Sequence, residues 1–158
     1  MNWASWAVWG LGATVVLTSI LSISQGIKWT RLSIPLMLGT VVSPDRDKAK
    51  WLGIFIHVLN GYLFSLIYVG AFQVWGGANW QRGAIIGFFH ALFVLTVVIP
   101  NLPAIHPRMA SQYFVSDDFR QLEPPGFFLL NYGISTPMAV IIAHIIFGIM
   151  LGVFYQMP

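Results

Sequence analysis

Three histidines, His57, His90 and His144, lie inside long stretches that hold no charged side chain. Ionisable residues are rare in apolar segments of this length and mark candidate functional positions. An imidazole nitrogen can bind the iron of a haem or the magnesium of a chlorin as an axial ligand, and a neighbouring glycine leaves space for a flat macrocycle. The three histidines are therefore candidate axial ligands of a haem or chlorin cofactor.

Two other interpretations of these histidines stay open. A neutral imidazole can hydrogen-bond to a hydroxyl, an amide or a carbonyl of a neighbouring helix and serve packing alone, and the candidate side-chain partners are Thr18, Asn60, Tyr62 and Thr96. The histidines could also take part in transport. A bare metal site for zinc or copper is disfavoured, because the chain has no cysteine and no carboxylate in its apolar stretches.

The histidines belong to stripes of small residues at helical spacing. His144, Gly148, Gly152 and Tyr155 recur at offsets of zero, four, eight and eleven, and the same offsets relate His57, Gly61, Ser65 and Tyr68. These offsets place all members of a stripe on one face of a helix. Because small residues let helix backbones approach closely, the stripes predict packing surfaces between helices.

Composition predicts the elements that carry these stripes. Hydrophobic residues make up 57% of the 158 residues and charged residues only 8%, which is far from the balance of soluble proteins. The charged residues leave four uncharged intervals, each able to hold the roughly 20 apolar residues that cross about 30 Å of hydrocarbon. We predict one all-α integral membrane domain over residues 1–158, with transmembrane helices at about 4–24, 51–74, 82–99 and 136–156 and connections at 26–50 and 101–135.

Local signals predict the ends of these helices. Ser43-Pro44-Asp45 predicts a helix start with Ser43 as the capping residue, and Thr136-Pro137 predicts another. Pro100 predicts the end of the third helix. Two apolar stretches, residues 34–42 and 127–130, are too short to span and are predicted to lie in the membrane interface.

The distribution of basic residues predicts the orientation. Seven of the eight lysines and arginines lie in the two long connections, and only Arg82 lies near the short turn. By the positive-inside tendency, both long connections are cytoplasmic and both termini lie outside, in a multi-pass protein of a bacterial-type plasma membrane whose first helix is not cleaved. Membrane orientation explains these charges better than nucleic-acid binding does.

The two halves of the sequence predict an internal repeat. Asn2, Trp3, Ala7 and Gly10 match Asn79, Trp80, Ala84 and Gly87, and the two histidine stripes match each other. Two hairpins with the same orientation would be related by a pseudo-twofold axis along the membrane normal, which is the parallel kind of repeat.

Motifs that carry catalysis are lacking. The sequence has no phosphate-binding glycine loop, no serine nucleophile elbow and no paired intramembrane carboxylates. The segment His106-Pro107-Arg108-Met109 is either a site for a lipid phosphate or a partner carboxylate, or a solvated turn. We therefore lean towards a protein without enzymatic activity.

Several segments resemble a group of uncharacterised bacterial four-helix membrane proteins. The segments are residues 34–40, 44–47, 106–109 and 123–127, together with the final histidine-glycine-glycine-tyrosine stripe. The resemblance implies a bacterial membrane location and no particular activity.

From these observations we expect a non-catalytic accessory subunit of a larger membrane complex, whose partners are membrane lipids and other subunits or further copies of the chain. The first alternative is a haem- or chlorin-binding subunit for electron transfer or light harvesting that uses His57, His90 or His144. The second alternative is a small carrier.

Overall fold

The computed structural model describes residues 1–110 and 122–158. The α-helices in chain order are α1 (Trp3–Gly26), α2 (Ile34–Val42), α3 (Arg46–Val74), α4 (Trp80–Phe93), α5 (Ile99–Ile105) and α6 (Thr136–Phe154). A π-helical turn, Val94–Val98, joins α4 to α5, and a 3₁₀ segment, Phe127–Tyr132, precedes α6. The described residues thus form an all-helical fold.

Four stretches of helix are long and apolar enough to cross a membrane, as predicted. They are Trp3–Gly26, Arg46–Val74, Trp80–Ile105 and Thr136–Phe154. The first begins at Trp3 because the side chain of Asn2 accepts a hydrogen bond from the Ser5 amide and caps the helix. Segment 34–42, predicted as a short interfacial stretch, forms the separate helix α2.

The third long helix does not end at Pro100, so that prediction is wrong. Proline lacks an amide proton, and its ring crowds the carbonyl four residues earlier. The wider π-helical turn Val94–Val98 ends two residues before Pro100 and contains Thr96, the residue whose carbonyl the proline ring would crowd. The helix therefore continues through α5 to Ile105.

The predicted cap of the second long helix is also wrong. Ser43 follows the last residue of α2, and the residue that caps α3 is Asp45. The Asp45 carboxylate accepts hydrogen bonds from the amides of Asp47 at 3.0 Å and Lys48 at 2.9 Å. The bond from Lys48 holds the pKa of Asp45 below its ordinary value. Helix α3 thereby gains residues 46–50, which were predicted as connection.

Helix α6 begins at its predicted start, Thr136, but Thr136 does not cap it. Thr136 is the first helical residue, and its hydroxyl lies 2.6 Å from the hydroxyl of Thr30, in a buried pair. The helix ends at Phe154 rather than at residue 156, because Tyr155 takes an extended conformation.

Both chain termini and the turn at residues 75–79 lie at one end of the bundle. The Tyr155 hydroxyl accepts hydrogen bonds from the Asn2 amide at 3.0 Å and from the Gln73 side chain at 3.3 Å. The Gln156 amide donates to the Ser5 hydroxyl at 2.8 Å. The described residues of the two long connections therefore lie together at the opposite end.

The long helices pack unequally. Helix α4 packs most extensively on α6, and α1 contacts both α6 and α3, whereas α3 and α4 barely touch. The contact between α4 and α6 is made by glycines facing backbone carbonyls: Gly83 with Gly148, Gly87 with His144 and Gly152 with Asn79. The bundle is thus closed between α4 and α6 and open between α3 and α4.

Helix α2 packs on α3 at the connection end. Gly39 of α2 lies against the Ala49 backbone, and Gly53 of α3 lies against the Pro35 backbone. The close approach requires glycine at both positions, because a Cβ atom would overlap the facing carbonyl group. These two contacts hold α2 against α3 at the connection end of the bundle.

His106 and Arg108 hold the other end of α2, so the solvated-turn interpretation of His106 is wrong. His106 is fully buried. Its Nδ1 accepts from the Arg108 amide at 3.1 Å, so its Nε2 carries the proton and donates to the Met37 carbonyl at 2.9 Å. The Arg108 guanidinium donates to the carbonyls of Thr40 at 2.6 Å and Val41 at 3.2 Å. These bonds satisfy carbonyls at the C-terminal end of α2.

Candidate functional site: a histidine-lined cavity

A cavity of about 140 Å³ lies inside the bundle, and all three candidate histidines line it. His57 reaches it from α3, His90 from α4 and His144 from α6. The sequence predicts that each histidine faces protein. It does not predict that the three face the same space, since this depends on how the helices are placed around one another.

His144 is oriented by its own helix. The ring is 7% exposed, and its Nδ1 lies 2.8 Å from the Val140 carbonyl. A carbonyl only accepts hydrogen bonds, so Nδ1 carries the proton and donates. In the neutral ring the Nε2 atom then holds a lone pair, and it forms no hydrogen bond with a described residue.

His57 is oriented by α1. Its Nδ1 lies 3.0 Å from the Thr18 hydroxyl, and that hydroxyl donates its single proton to the Thr14 carbonyl at 2.8 Å. The His57 Nδ1 must therefore be the donor, which leaves the Nε2 atom as a hydrogen-bond acceptor. Among residues 1–110 and 122–158 this acceptor has no hydrogen-bond partner.

His90, on α4, contacts residues of both α3 and α6. Its Nδ1 lies 2.9 Å from the Tyr68 hydroxyl, and its ring stacks on Phe64 at a centroid distance of 4.6 Å. The His90 and His144 rings meet edge to face, with centroids 4.8 Å apart and planes at 86°. Residue spacing places Tyr68 in the stripe of His57 and does not predict its hydrogen bond with His90, because that pairing crosses from α3 to α4.

The connection end of the cavity is closed by an irregular segment. Leu129 lines the cavity and is completely buried, whereas its neighbours Phe127 and Leu130 are exposed. Phe128 and Leu129 adopt left-handed backbone conformations, with φ of 53° and 62°. Such conformations cost free energy in residues with a side chain and persist only where surrounding contacts hold them. The segment places Leu129 inward, although it was predicted to lie in the membrane interface.

The segment Phe127–Tyr132 is also hydrogen-bonded to the first connection. The Arg31 amide donates to the Tyr132 carbonyl at 2.8 Å, and the Arg31 guanidinium lies 3.5 Å from the Glu123 carboxylate. Burial raises the pKa of Tyr132 to about 12, and the charge of Glu123 adds to this effect. The Tyr132 hydroxyl donates to the Glu123 carbonyl at 2.5 Å.

An apolar groove of about 380 Å³ lies outside the cavity, between α3 and α4. Its walls are Phe64, Ile67, Tyr68, Ile86, Phe89, His90 and Phe93. Phe64 and His90 also line the cavity, so the groove and the cavity share a wall. The groove exists because α3 and α4 barely contact each other.

The arrangement does not fit a macrocycle. Pockets that enclose ligands of drug size measure about 300–1,000 Å³, and this cavity measures about 140 Å³. The perpendicular contact of His90 and His144 leaves no gap for a flat ring system between them. Within the described part of the chain, no three metal-binding side chains are grouped around one point.

Comparison with protein-family models, with curated proteins and with solved structures finds no match for this chain. The resemblance to bacterial four-helix membrane proteins therefore rests on the sequence motifs alone. The described residues form a helical bundle with four helices long and apolar enough to cross a membrane, and three histidines line a cavity inside it.

Proposed function

We propose that this chain is a non-catalytic membrane protein that binds a small molecule in its histidine-lined cavity. The observation that carries the proposal is that His57 and His144 line one cavity and that the Nε2 atom of each ring has no hydrogen-bond partner among the described residues. Among the described residues no fully enclosed side-chain nitrogen or oxygen lacks a hydrogen-bond partner, so both Nε2 atoms keep accessible surface that a molecule can reach. A bound molecule would supply the hydrogen-bond partner.

The alternative in which the histidines serve packing alone explains the position of only one of the two nitrogens in each ring. Thr18, Tyr68 and the Val140 carbonyl each satisfy one nitrogen. Packing alone would be served better by apolar side chains that fill the space, because protein interiors are close-packed. Water in the cavity is the remaining competitor, since a site of this volume with polar lining can hold several molecules.

Co-purification tests the proposed binding. In protein extracted with mild detergent, we expect a small molecule at close to one per chain, and at least tenfold less in His144→Asn. Asparagine keeps an amide near the position of Nδ1 and can still donate to Val140, but it has no atom at the position of Nε2. Mass spectrometry of solvent extracts measures both amounts.

Val153→Leu is the matched control, because Val153 is 54% exposed on the outer face of α6. It should retain the molecule at the wild-type level. Equal amounts in wild type and His144→Asn, or no small molecule in either, would contradict the proposal. A Soret or chlorin absorption band lost in His144→Asn would instead favour the haem or chlorin alternative.

We also propose, as the wider setting, that the protein is an accessory subunit of a larger membrane assembly. Support comes from the large apolar side chains on the outer faces of the helices, such as Trp51 at 76% and Phe55 at 66% exposure. Such faces contact lipid or neighbouring subunits. Native mass spectrometry would distinguish a hetero-complex, a homo-oligomer and a monomer.

The proposed orientation places both termini outside and both long connections in the cytoplasm of a bacterial-type plasma membrane. Because the chain has no cysteine, single substitutions give a clean labelling background. We expect Lys48→Cys, an exposed position, to react only with reagents that enter the cytoplasm, and Ala78→Cys to react from outside. The reverse pattern would overturn the orientation.

An internal duplication stays a proposal about the origin of the fold. In its favour, α1 packs on α3 as α4 packs on α6. The registers differ, however. In the first half, Gly10 faces Ser65. The repeat pairs Gly10 with Gly87 and Ser65 with Gly152, so Gly87 should face Gly152. It faces His144 instead, which lies eight residues earlier in the chain. Eight residues correspond to about 12 Å along a helix, so a duplication requires a later slip of one hairpin.

A further inference from the structure

The chemistry of the cavity restricts what could occupy it. The pattern of hydrogen bonds leaves His57 and His144 as acceptors, so a complementary ligand must present O–H or N–H donors. No charged side chain lines the cavity or the groove within the described residues. A charged ligand would therefore lose its hydration without gaining a counter-charge, which favours a neutral ligand.

The size of the cavity restricts the ligand further. An engineered apolar cavity of about 150 Å³ in another protein binds benzene, and the cavity here measures about 140 Å³. The space accommodates one six-membered ring or a group of similar size. A larger ligand must extend beyond it.

The groove between α3 and α4 lies on the other side of Phe64 and His90, whose stacked rings have centroids 4.6 Å apart, so an extension into the groove requires these two side chains to move apart. It shares Phe64 and His90 with the cavity, and its remaining walls are almost all hydrocarbon. Ile67 and Phe89 at the groove are 60% and 63% exposed on the outer surface of the bundle. In a membrane that surface faces the lipid chains, so a hydrocarbon tail in the groove would be continuous with the bilayer interior.

We infer that the occupant is a neutral amphiphile whose compact head donates a hydrogen bond to the Nε2 atom of His57 or of His144 and whose hydrocarbon tail lies in the groove between α3 and α4. This inference rests on the proposed binding function and names the class of molecule. Such a ligand reaches the site sideways from the membrane. Long-chain phenols, hydroquinones and alcohols have this chemistry.

Two photoreactive probes test the head group. A 4-alkylphenol and its methyl ether, with identical diazirine-bearing twelve-carbon chains, differ only in the donor hydroxyl. With the full chain in phosphatidylcholine nanodiscs, we expect the phenol to label residues of the groove at a concentration at least tenfold lower than the ether. A site built around hydrogen bonds discriminates strongly against an analogue that lacks them.

Two histidine variants test whether the preference for the phenol over the ether arises in the cavity. Of His57→Asn and His144→Asn, the variant that removes the acceptor of the phenol should reduce phenol labelling to the level of the ether while labelling by the ether stays unchanged, and full phenol labelling in both variants would overturn the inference. Testing two variants keeps the inference testable if one of them misfolds. A monodisperse peak in gel filtration verifies that each variant is folded. Equal labelling by the two probes in wild type would overturn the inference about the head group, whereas a histidine-dependent molecule found by co-purification would leave the binding function standing.

A pair of tryptophan variants tests the groove. Ile67→Trp should lower labelling by both probes at least tenfold, because the added ring fills the groove. Leu63→Trp, one turn away and outside the groove at 50% exposure, should leave labelling unchanged. Labelling of residues outside the groove would overturn the inference that the tail lies between α3 and α4. A photoreactive residue at position 67 that cross-links to a polypeptide instead of to lipid would also overturn it, because a partner helix would then occupy the groove.

Discussion

Replacing Gly148 with leucine is expected to cause one of the two largest losses of stability in this protein. A Cβ atom at position 148 would overlap the backbone carbonyl of Gly83 and lie 3.1 Å from the ring of Tyr68. Overpacking typically costs about 1–3 kcal/mol. Here rigid backbone rather than a flexible side chain is in the way, so we expect a loss of about 3 kcal/mol or more in the free energy of unfolding, measured in dodecylmaltoside by titration with a denaturing detergent.

Two controls separate this clash from the general effect of adding volume. Val153→Leu adds apolar volume to the outer face of the same helix, and we expect a change within about 0.5 kcal/mol. Gly70→Ala adds a methyl group where no neighbouring atom lies within 4 Å, so it should be neutral or stabilise α3 by up to about 1 kcal/mol. Equal tolerance of Gly148→Leu and Val153→Leu would contradict the close contact of α4 and α6.

Replacing His106 with alanine is expected to release α2 from the end of the bundle. The substitution removes the acceptor of the Arg108 amide and the donor to the Met37 carbonyl. A buried polar group left without a partner costs about 1–3 kcal/mol. We expect a total loss of about 2–4 kcal/mol, seen in hydrogen exchange as faster exchange of the α2 amides with little change in α6.

Ile105→Ala serves as the control for this substitution. Ile105 is the preceding residue and is 70% exposed, so its truncation should leave exchange in α2 unchanged. Unaltered protection of α2 in His106→Ala would show that the contacts of Gly39 and Gly53 with the facing backbone suffice to hold the helix.

The positions of the spanning helices could be predicted from the sequence, because hydrophobicity over about 20 residues is a local property of the chain. The packing role of Gly148 and Gly152 could be predicted in the same way, since their spacing alone places them on one helical face. Their counterparts, Gly83 and Asn79 on α4, could not. A stripe of small residues does not encode which helix packs against it.

Local sequence also misjudged the ends of two elements. Ser43 and Asp45 both have side chains that can cap a helix, and only the end of α2 at Val42 decides between them. Pro100 does end many helices, but the π-helical turn before it depends on the packing of Leu95 and Ile99 in the core.

For the candidate site, the sequence determined which side chains carry chemistry, and the tertiary structure decided what they can do. That His57, His90 and His144 are ionisable groups inside apolar helices follows from the apolar stretches around them. Their convergence on one cavity follows from the separation of α3 and α4 and from the close contact of α4 with α6. The tautomers follow from Thr18 and from the Val140 carbonyl. The physical reason is that helix formation depends on near neighbours in the chain, whereas the direction of a hydrogen bond depends on atoms that folding brings together from distant positions.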